Sequence, residues 1–566
     1  MSDLIATLLS KRGITDTEDI ERFLNPEYER DTHSPLLLEG IERAVARVFA
    51  AIAQNERIAV YADFDCDGIP GASVLWDFFK KIGYENFEVY IPHRDREGYG
   101  FHKEAIEELA EGGVSLIITV DVGTNALDSI AFAKEKGIDT IVTDHHEPIK
   151  EPSASNGSGV TEVLPDCVAV LNPKLGKYPF RDLCGAAVAF KFVQALLIEG
   201  KKRELEAFTK IPEGWEKWLL DMVALATVAD LVPLIGENRT LAHFGLKVLR
   251  RSQRPGILAL VNRLRLRRAE LTEDDIAFSI APRINAASRM DEPELAFLLL
   301  TTPDAQEAER LAARLEELNA KRKTAVAAIV KVAKRTARTR FRPEDRIVVL
   351  GSPEWKPALM GLAANSLMEE RGGVVCMWGR DVNGKLKGSC RSDGSISIVE
   401  LFSKARDSLV EFGGHAKSGG FTVSHEKVHK LYEAFTEASE SLTESMDAVE
   451  SAESDARIAL SELTESLFAD VSKLAPFGIG NRKPVFLVSS ITVSSVRRFG
   501  RDNNHVEVVV SCEHTGTFMR TFDFFNSPEG FQHTPVAGNP VRLLATVGKD
   551  SYRGGITLRL TDVLPA

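Results

Sequence analysis

No C-x-x-C pair occurs in this sequence, and its six cysteines (Cys66, Cys167, Cys184, Cys376, Cys390 and Cys512) lie far apart. That spacing excludes a zinc ribbon and argues against a disulfide framework, so the cysteines are expected to be free thiols. A long uninterrupted apolar run is also missing. The most apolar stretch, Leu219 to Ile235, contains Asp221 and Asp230 and reads as buried core ending in a functional carboxylate, not as a membrane span. The opening residues, Met1-Ser2-Asp3-Leu4-Ile5-Ala6, have neither the basic segment nor the apolar core of an export signal, so a cytoplasmic setting is expected. Nor is there an excess of positive charge: 70 Lys and Arg against 82 Asp and Glu leave a net charge of -12. This balance excludes a protein that grips nucleic acid with its whole surface, because phosphate contact needs local positive charge. Local patches remain. Arg263, Arg265, Arg267 and Arg268 form one; Lys321, Arg322, Lys323, Lys331, Lys334, Arg335, Arg338, Arg340 and Arg342 punctuate a second. Taken singly, such a run is an ordinary solvated helix face. There is no internal repeat.

What is present is enough apolar sequence for several cores: 566 residues, 44% of them hydrophobic. Residues 1–50 read as a helical entry segment, with Leu4, Leu8, Leu9, Ile41, Ala44, Val45 and Val48 at helical spacing. From 51 to 300, short apolar runs (57–62, 87–91, 115–120 and 139–143) alternate with helix-length segments, a rhythm that predicts a mostly parallel α/β sheet. Residues 301–343 read as one long connecting helix, with Leu311, Leu315, Leu318, Val326, Ile329 and Val330 on a stripe. A second, smaller α/β domain is expected over 344–425. An acidic helical connector follows over 426–465, with Glu433, Glu437, Glu440, Glu444, Asp447, Glu450, Glu453 and Asp455. The short broken strands of 466–566 suggest an OB-like β-barrel. The fold class is therefore α/β: two α/β domains joined by a long helix, plus a C-terminal barrel.

The chemistry gathers at the ends of the apolar runs. Asp63-Phe64-Asp65-Cys66-Asp67-Gly68 sets three carboxylates at every second residue, on one face of an extended chain. The same letters open a calcium-binding EF-hand loop. Position twelve of that loop would be Val74, where a bidentate Glu is required, so the calcium reading fails. Asp121 follows the run Leu116–Val120, Asp144-His145-His146 follows the run 139–143, and Asp230 follows Met222–Ala229. Any one of these Asp residues alone would be read as a cap or turn residue. Four at the carboxyl ends of apolar segments lie where open α/β sheets build their sites. Asp and His without Cys suit magnesium, manganese or iron, and a cluster this acidic suits two ions side by side. The expected chemistry is hydrolysis at phosphorus.

The strings 63–68 and 144–146 resemble the first and third motifs of the DHH phosphoesterases, and the second and fourth motifs are also present. The resemblance implies metal ligands at Asp65, Asp67, Asp121, His145 and Asp230, support from Asp63 and Asp144, and a role for His146 in catalysis or phosphate binding. It implies manganese or magnesium, two ions, as the cofactor. Within that superfamily the chain is similar to the RecJ branch of exonucleases along nearly its full length. The matching strings include 94–100, 227–234, Pro282-Arg283-Ile284-Asn285-Ala286, Gly388-Ser389-Cys390-Arg391-Ser392, Gly413-Gly414-His415 and Pro476-Phe477-Gly478. The two α/β domains are then the DHH domain and the DHH-associated domain.

That branch implies a single-stranded-DNA 5′ to 3′ exodeoxyribonuclease acting in DNA repair and recombination and releasing 5′-mononucleotides. A strand would thread between the two α/β domains. Gly413, Gly414 and His415 form a loop that lets backbone amides approach a phosphate, Ser389 and Arg391 are placed to grip the end nucleotide, and Arg94 and Arg283 to hold nearby phosphates. In the terminal barrel, Arg497, Arg498, Arg501 and Arg553 with Phe499 and Tyr552 offer a stacking track, or ordinary core. A protein this acidic is expected to need delivery to single-stranded DNA by a single-strand-binding protein or a helicase, although no docking motif is visible; no membrane partner is expected.

Some family members carry His where this chain has Tyr61, which removes a ligand from one ion. Lys356, Ala358, Ala416-Lys417-Ser418-Gly419 and Ser288 also depart from the family pattern and bear on end recognition more than on hydrolysis. Two other readings stand beside this one. A DHH phosphodiesterase of short oligonucleotides would not need the terminal barrel, and a catalytically inactive replication scaffold would not need so many clustered carboxylates.

Overall fold

The short apolar runs pair as a parallel sheet. Arg57–Ala62 (β1), Phe87–Tyr90 (β2), Val114–Val120 (β3) and Asp139–Thr143 (β4) are followed by a hairpin of Ile149–Pro152 (β5) and Val160–Val163 (β6), and then by Ala169–Leu171 (β7). The five-stranded order is β2-β1-β3-β4-β7, with every neighbouring pair parallel. β1, β3 and β4 are apolar on both faces, as a sheet covered on both sides requires. One face packs on Lys103–Glu111 and Leu127–Glu135, through Ala105, Ile106, Leu109, Ile130 and Ala133 against Ala59, Tyr61 and Ile117. Helices Gly68–Lys81 and Gly185–Lys202 pack together and against β1, β3 and β4. The strand order reverses direction between β1 and β3, which opens a crevice at their carboxyl ends.

The computed structural model describes residues 2–152, 160–442, 454–500, 503–512, 516–550 and 554–566. They fall into two units: residues 32–232 with 244–447, and residues 1–31 with 233–243 and 448–566. The first unit holds the parallel sheet, the helix Ala305–Arg340 and a second sheet. That helix runs 36 residues, about 54 Å, and Asp304 caps it by accepting from the Glu307 amide at 2.8 Å.

The second sheet is mixed. Ile347–Gly351 (β8), Val374–Arg380 (β9), Leu386–Ser392 (β10), Glu411–Gly414 (β11) and Ser418–Val423 (β12) lie in the order β11-β12-β10-β9-β8. Only the β8–β9 pair is parallel. Leu431–Glu440 packs Leu431, Phe435 and Ala438 into its core and carries Glu433, Glu437 and Glu440. Glu444, Asp447, Glu450 and Glu453 lie outside the described residues.

Two sequence expectations change here. Cys376 and Cys390 are not free thiols: they face each other in register across β9 and β10 and are disulfide-bonded, while Cys66, Cys167, Cys184 and Cys512 are in no disulfide. A separation of fourteen residues carries no pairing signal, because strand register brings the two together. The run ending at Asp230 is a helix, Leu220–Ala229, with Asp230 at its C-cap.

In the second unit, Ala456–Ile458 (β13), Phe486–Phe499 (β14), His505–Ser511 (β15), Phe518–Phe524 (β16), Pro540–Lys549 (β17) and Ile556–Pro565 (β18) form a sheet of order β13-β14-β15-β16-β18-β17. Pairing of β14 with β17 closes its last five strands into a barrel. β14 serves both ends of the closure by bending at two register shifts. The first helix, Asp3–Ser10, belongs to this core: Ile5, Leu8 and Leu9 are buried with Phe486, Val488 and Val506. Among the described residues no helix is long and apolar enough to cross a membrane.

Candidate active site

The crevice at the ends of β1 and β3 collects the carboxylates. The chain leaves β1 through Asp63, Asp65 and Asp67 and turns directly into Gly68–Lys81. Asp65 accepts from the Asp67 amide at 2.8 Å, while the buried Asp67 accepts from the Gly185 and Ala186 amides at 2.6 and 2.7 Å, at the start of Gly185–Lys202. A helix N-terminus favours this negative charge. Gly185 is required by contact, since a Cβ there would meet the Asp121 Cβ at 2.7 Å. Asp121, just beyond β3, has φ 61, a left-handed conformation that costs energy in a non-glycine residue.

Beyond β4, Asp144 accepts from the Thr124 and His145 amides and pairs with His146 Nδ1 at 2.8 Å. His145 Nε2 lies 3.2 Å from Asp121 Oδ1, 3.6 Å from Asp67 Oδ2 and 3.7 Å from Asp230 Oδ2. The loop is braced from elsewhere: Asn285 accepts from the Cys66 amide at 2.9 Å, and Asn172 donates to the His146 carbonyl oxygen at 2.9 Å.

Three overlapping groups are compact enough to hold a cation: Asp63, Asp65 and Asp121; Asp67, His145 and Asp230; Asp121, His145 and His146. Asp63 Oδ1 and Asp121 Oδ1 are buried without a hydrogen-bond partner, the open acceptors that a bound cation would satisfy. Carboxylate and imidazole donors in this number fit manganese or magnesium. Tyr61 belongs to none of the groups. It donates to the Gly100 carbonyl oxygen at 2.9 Å and packs between Tyr90 and Phe101.

Charge crowding shows in the titration of these groups. Burial, reinforced by Asp65, pushes Asp67 up to about 7. Burial with Asp67 and Asp65 pushes Asp230 up to about 9. Asp63 and Asp121 rise well above the carboxylate range for the same reasons. His145 is held down to about 3 by burial and by the charge of His146. Burial opposes the charge on His146, but Asp144 prevails and raises it to about 9.

Beside the carboxylates lies a set of guanidiniums. Arg94 sits over the Phe64 ring at 4.8 Å; Arg289 donates to the Ala358 carbonyl oxygen at 2.6 Å; Arg391, on β10, donates to the Cys390 carbonyl oxygen at 2.8 Å. Burial lowers the pKa of all three, and their mutual charge lowers Arg289 and Arg391 further, with Arg322 also acting on Arg289. None of the four forms an ion pair with a carboxylate among the described residues, an arrangement that invites an anion. Ser389 stands on β10 two residues before Arg391, and His415, after β11, is close enough to His146 to feel its charge. Gly413 and Gly414 are exposed on β11, with Gly414 at φ 145. Arg283 is not in the cluster: it is held by Glu316 at 2.8 Å and donates to the Ser279 carbonyl oxygen.

Sequence reasoning placed Arg322 only within the second basic patch and missed Arg289 as a phosphate-site candidate. It also missed Tyr99, whose hydroxyl lies 3.2 Å from His146 Nδ1, and Lys174, which pairs with Glu147 at 3.0 Å and acts on His145. Arg289 stands just past the string 282–286, and Tyr99 lies within the string 94–100, which was the available signal.

Comparison with known proteins agrees with this geometry. Residues 57–227 match the DHH family, N-terminal domain; 344–441 match the DHHA1 domain; and 454–561 match the RecJ OB domain. A Salmonella typhimurium protein named single-stranded-DNA-specific exonuclease RecJ is 31% identical over 77% of this chain and 74% of its own length. This chain belongs to the RecJ family. The Bacillus subtilis RecJ is 35% identical over 91% of this chain, which spans 62% of that relative's length. The crystal structure of Thermus thermophilus RecJ in complex with Mn2+ superposes with a TM-score of 0.78 at 27% identity, covering all of this chain and 76% of that one. The RecJ match thus takes in both sheets and the barrel.

Proposed function

We propose that this chain is a metal-dependent exonuclease that hydrolyses single-stranded DNA from its 5′ end to 5′-mononucleotides, in DNA repair and recombination. The observation that carries the reading is the juxtaposition of the carboxylate–histidine cluster with unpaired Arg94, Arg289 and Arg391. Asp63, Asp65, Asp67, Asp121, His145 and Asp230 would hold manganese or magnesium, two ions. Bound there, the cations would activate water and neutralise charge at the attacked phosphorus.

The chain's own side chains supply the rest. Arg94, Arg289 and Arg391 hold phosphate oxygens against the cluster, and Ser389 adds a hydroxyl donor. Asp144 keeps the proton on His146, which holds or protonates a phosphate oxygen, and the Tyr99 hydroxyl, 3.2 Å from the same Nδ1, helps to fix the ring. His415, Gly413 and Gly414 approach from the second sheet and line the end-nucleotide position. Arg283, tied to Glu316, supports the long helix and does not touch phosphate.

In the barrel unit, Phe518, Phe524 and Phe525 are exposed, Phe525 by 82%, and Arg559 lies over Phe524 at 5.6 Å. Exposed aromatics with arginine form a stacking platform for bases. Arg497 and Arg498 are engaged by Glu507 and Glu529, Phe499 packs on His505 and Phe522, and Arg501, Tyr552 and Arg553 lie outside the described residues. We place the activity in the cytoplasm, with a single-strand-binding protein or helicase presenting the strand.

The test is a 3′-labelled strand carrying a 5′-phosphate, compared with its 5′-blocked copy and its duplex, all with manganese. Mononucleotide release from the open single strand alone supports the reading. Cleavage confined to very short oligonucleotides favours the phosphodiesterase, and no cleavage favours the scaffold.

A further inference from the structure

The second basic patch of the sequence lies on the long helix Ala305–Arg340, outside the carboxylate cluster. Arg322, Lys323, Lys331 and Lys334 rim a groove of ≈ 550 Å³ whose floor is Val326, Ala327, Val330 and, from Pro357–Arg371, Leu362. Arg322, Val326, Val330 and Lys334 recur every fourth residue and so share one face. The basic surface continues past the groove through Arg335 and Arg338. Lys334 and Arg338 share Glu370, but Arg322, Lys323, Lys331 and Arg335 form no ion pair among the described residues.

Like charges one turn apart, such as Lys331 and Arg335, destabilise a helix. In a chain of net charge -12, this helix concentrates four cations of which only Lys323 feels a nearby carboxylate, that of Glu316. One end of the groove lies toward the candidate active site, because Arg322, on its rim, is near enough to Arg289 of the guanidinium set for their charges to interact.

We propose that this groove is a further binding site for single-stranded DNA, carrying the part of the strand beyond the nucleotides seated in the crevice. The proposal rests on the exonuclease reading and extends it. From Arg322 to Arg338 the helix spans about 24 Å at 1.5 Å per residue, room for a few nucleotides. The rim cations face the phosphates, and the aliphatic floor receives sugars and base edges. With no aromatic in the lining, bases are not stacked there, so binding is indifferent to sequence and sensitive to salt.

The experiment compares wild type with the double variant Lys331→Glu/Arg335→Glu, and with Lys331→Gln/Arg335→Gln, on 5′-phosphorylated oligothymidylates of four and twenty nucleotides with manganese. Both changes are on exposed side chains. The expected result is a KM for the twenty-mer raised at least tenfold by the Glu pair and about threefold by the Gln pair, with the four-mer changed less than twofold. The slope of log KM against log salt for the twenty-mer should fall by about 1.4 in the Gln pair, at about 0.7 per lost phosphate contact on a single strand.

An unchanged twenty-mer KM overturns the proposal and leaves the groove to an acidic peptide. Equal losses on both lengths also overturn it, since the patch would then act through the crevice. Failure of the exonuclease reading looks different: wild type would cleave neither length.

Discussion

Asp121 Oδ1 stands 3.2 Å from His145 Nε2, buried, and without a hydrogen bond from any described residue. An acceptor left open at the centre of four other carboxylates is costly for the folded chain and useful only to a cation. Asp121→Asn tests this directly, because Asn tolerates the left-handed backbone that Asp121 adopts at φ 61. In EDTA at pH 8 the variant should melt above wild type, by about 2 °C for each kcal/mol of repulsion removed. Adding manganese should raise the melting temperature of wild type and not of the variant. Equal manganese shifts in the two proteins would remove Asp121 from the metal centre.

The pH dependence of metal-free stability has a definite sign. Asp67 and Asp230 titrate at about 7 and about 9, above the ordinary carboxylate value. Between about pH 6.5 and 9 the folded state therefore keeps protons that the unfolded chain has released, and stability falls as pH rises; below 6.5, His145, held down to about 3, opposes part of this because there the unfolded chain binds the extra proton. His146, raised to about 9, acts in the same direction: its contribution is complete below its unfolded value and is lost as pH climbs through 9. Metal binding needs these carboxylates ionised and so releases protons. The manganese-induced rise in melting temperature should be larger at pH 8.5 than at pH 6, and a thermal-shift series at both pH values with EDTA controls measures it. A smaller rise at pH 8.5 would count against carboxylate ligation.

Arg289 and Arg391 should act on substrate binding. Arg289→Ala or Arg391→Ala is expected to raise KM for a 5′-phosphorylated strand about 10- to 100-fold, the scale of about 1.5–3 kcal/mol for a hydrogen bond to a charged group. Arg391→Lys should recover little, because a point charge does not replace a planar fork. Steady-state kinetics on phosphorylated and unphosphorylated strands settles the matter: equal losses on both would mean that the arginine does not read the terminal phosphate.

The barrel aromatics should act on binding alone. Phe525 is 82% exposed and loses only an edge contact with His505 on truncation, so Phe525→Ala should cost little stability. Loss of one stacked base is worth about 1–3 kcal/mol, which predicts weaker binding of a twenty-mer by roughly 5- to 150-fold. Fluorescence anisotropy in EDTA reads this, and unchanged affinity would make these rings bystanders.

Much of the site was legible because it is local. Asp63, Asp65 and Asp67 are spaced by the strand period, and Asp121 and Asp144 follow strands whose apolar runs stand out. Asp230 was legible as a residue but not as a helix cap, since a short, mostly apolar run of mixed residue types does not distinguish helix from strand. Arg289, Arg322, Tyr99 and Lys174 come from separate elements, and although Tyr99 falls in the string 94–100 and Arg322 in a basic run, nothing local shows that they reach the site. Arg283 illustrates the converse: a motif arginine whose side chain turns to Glu316. The pairing of Cys376 with Cys390 and the packing of Ile5, Leu8 and Leu9 into the barrel core depend on contacts between distant segments, which spacing does not encode.

The most direct measurement is release of 5′-mononucleotides from a 3′-labelled single strand by wild type and by Asp121→Ala, with manganese and then with EDTA. The account predicts release by wild type with manganese, none in EDTA, and a loss of at least a thousandfold in the variant with manganese. Release that persists in EDTA, or in Asp121→Ala at the wild-type rate, would contradict it.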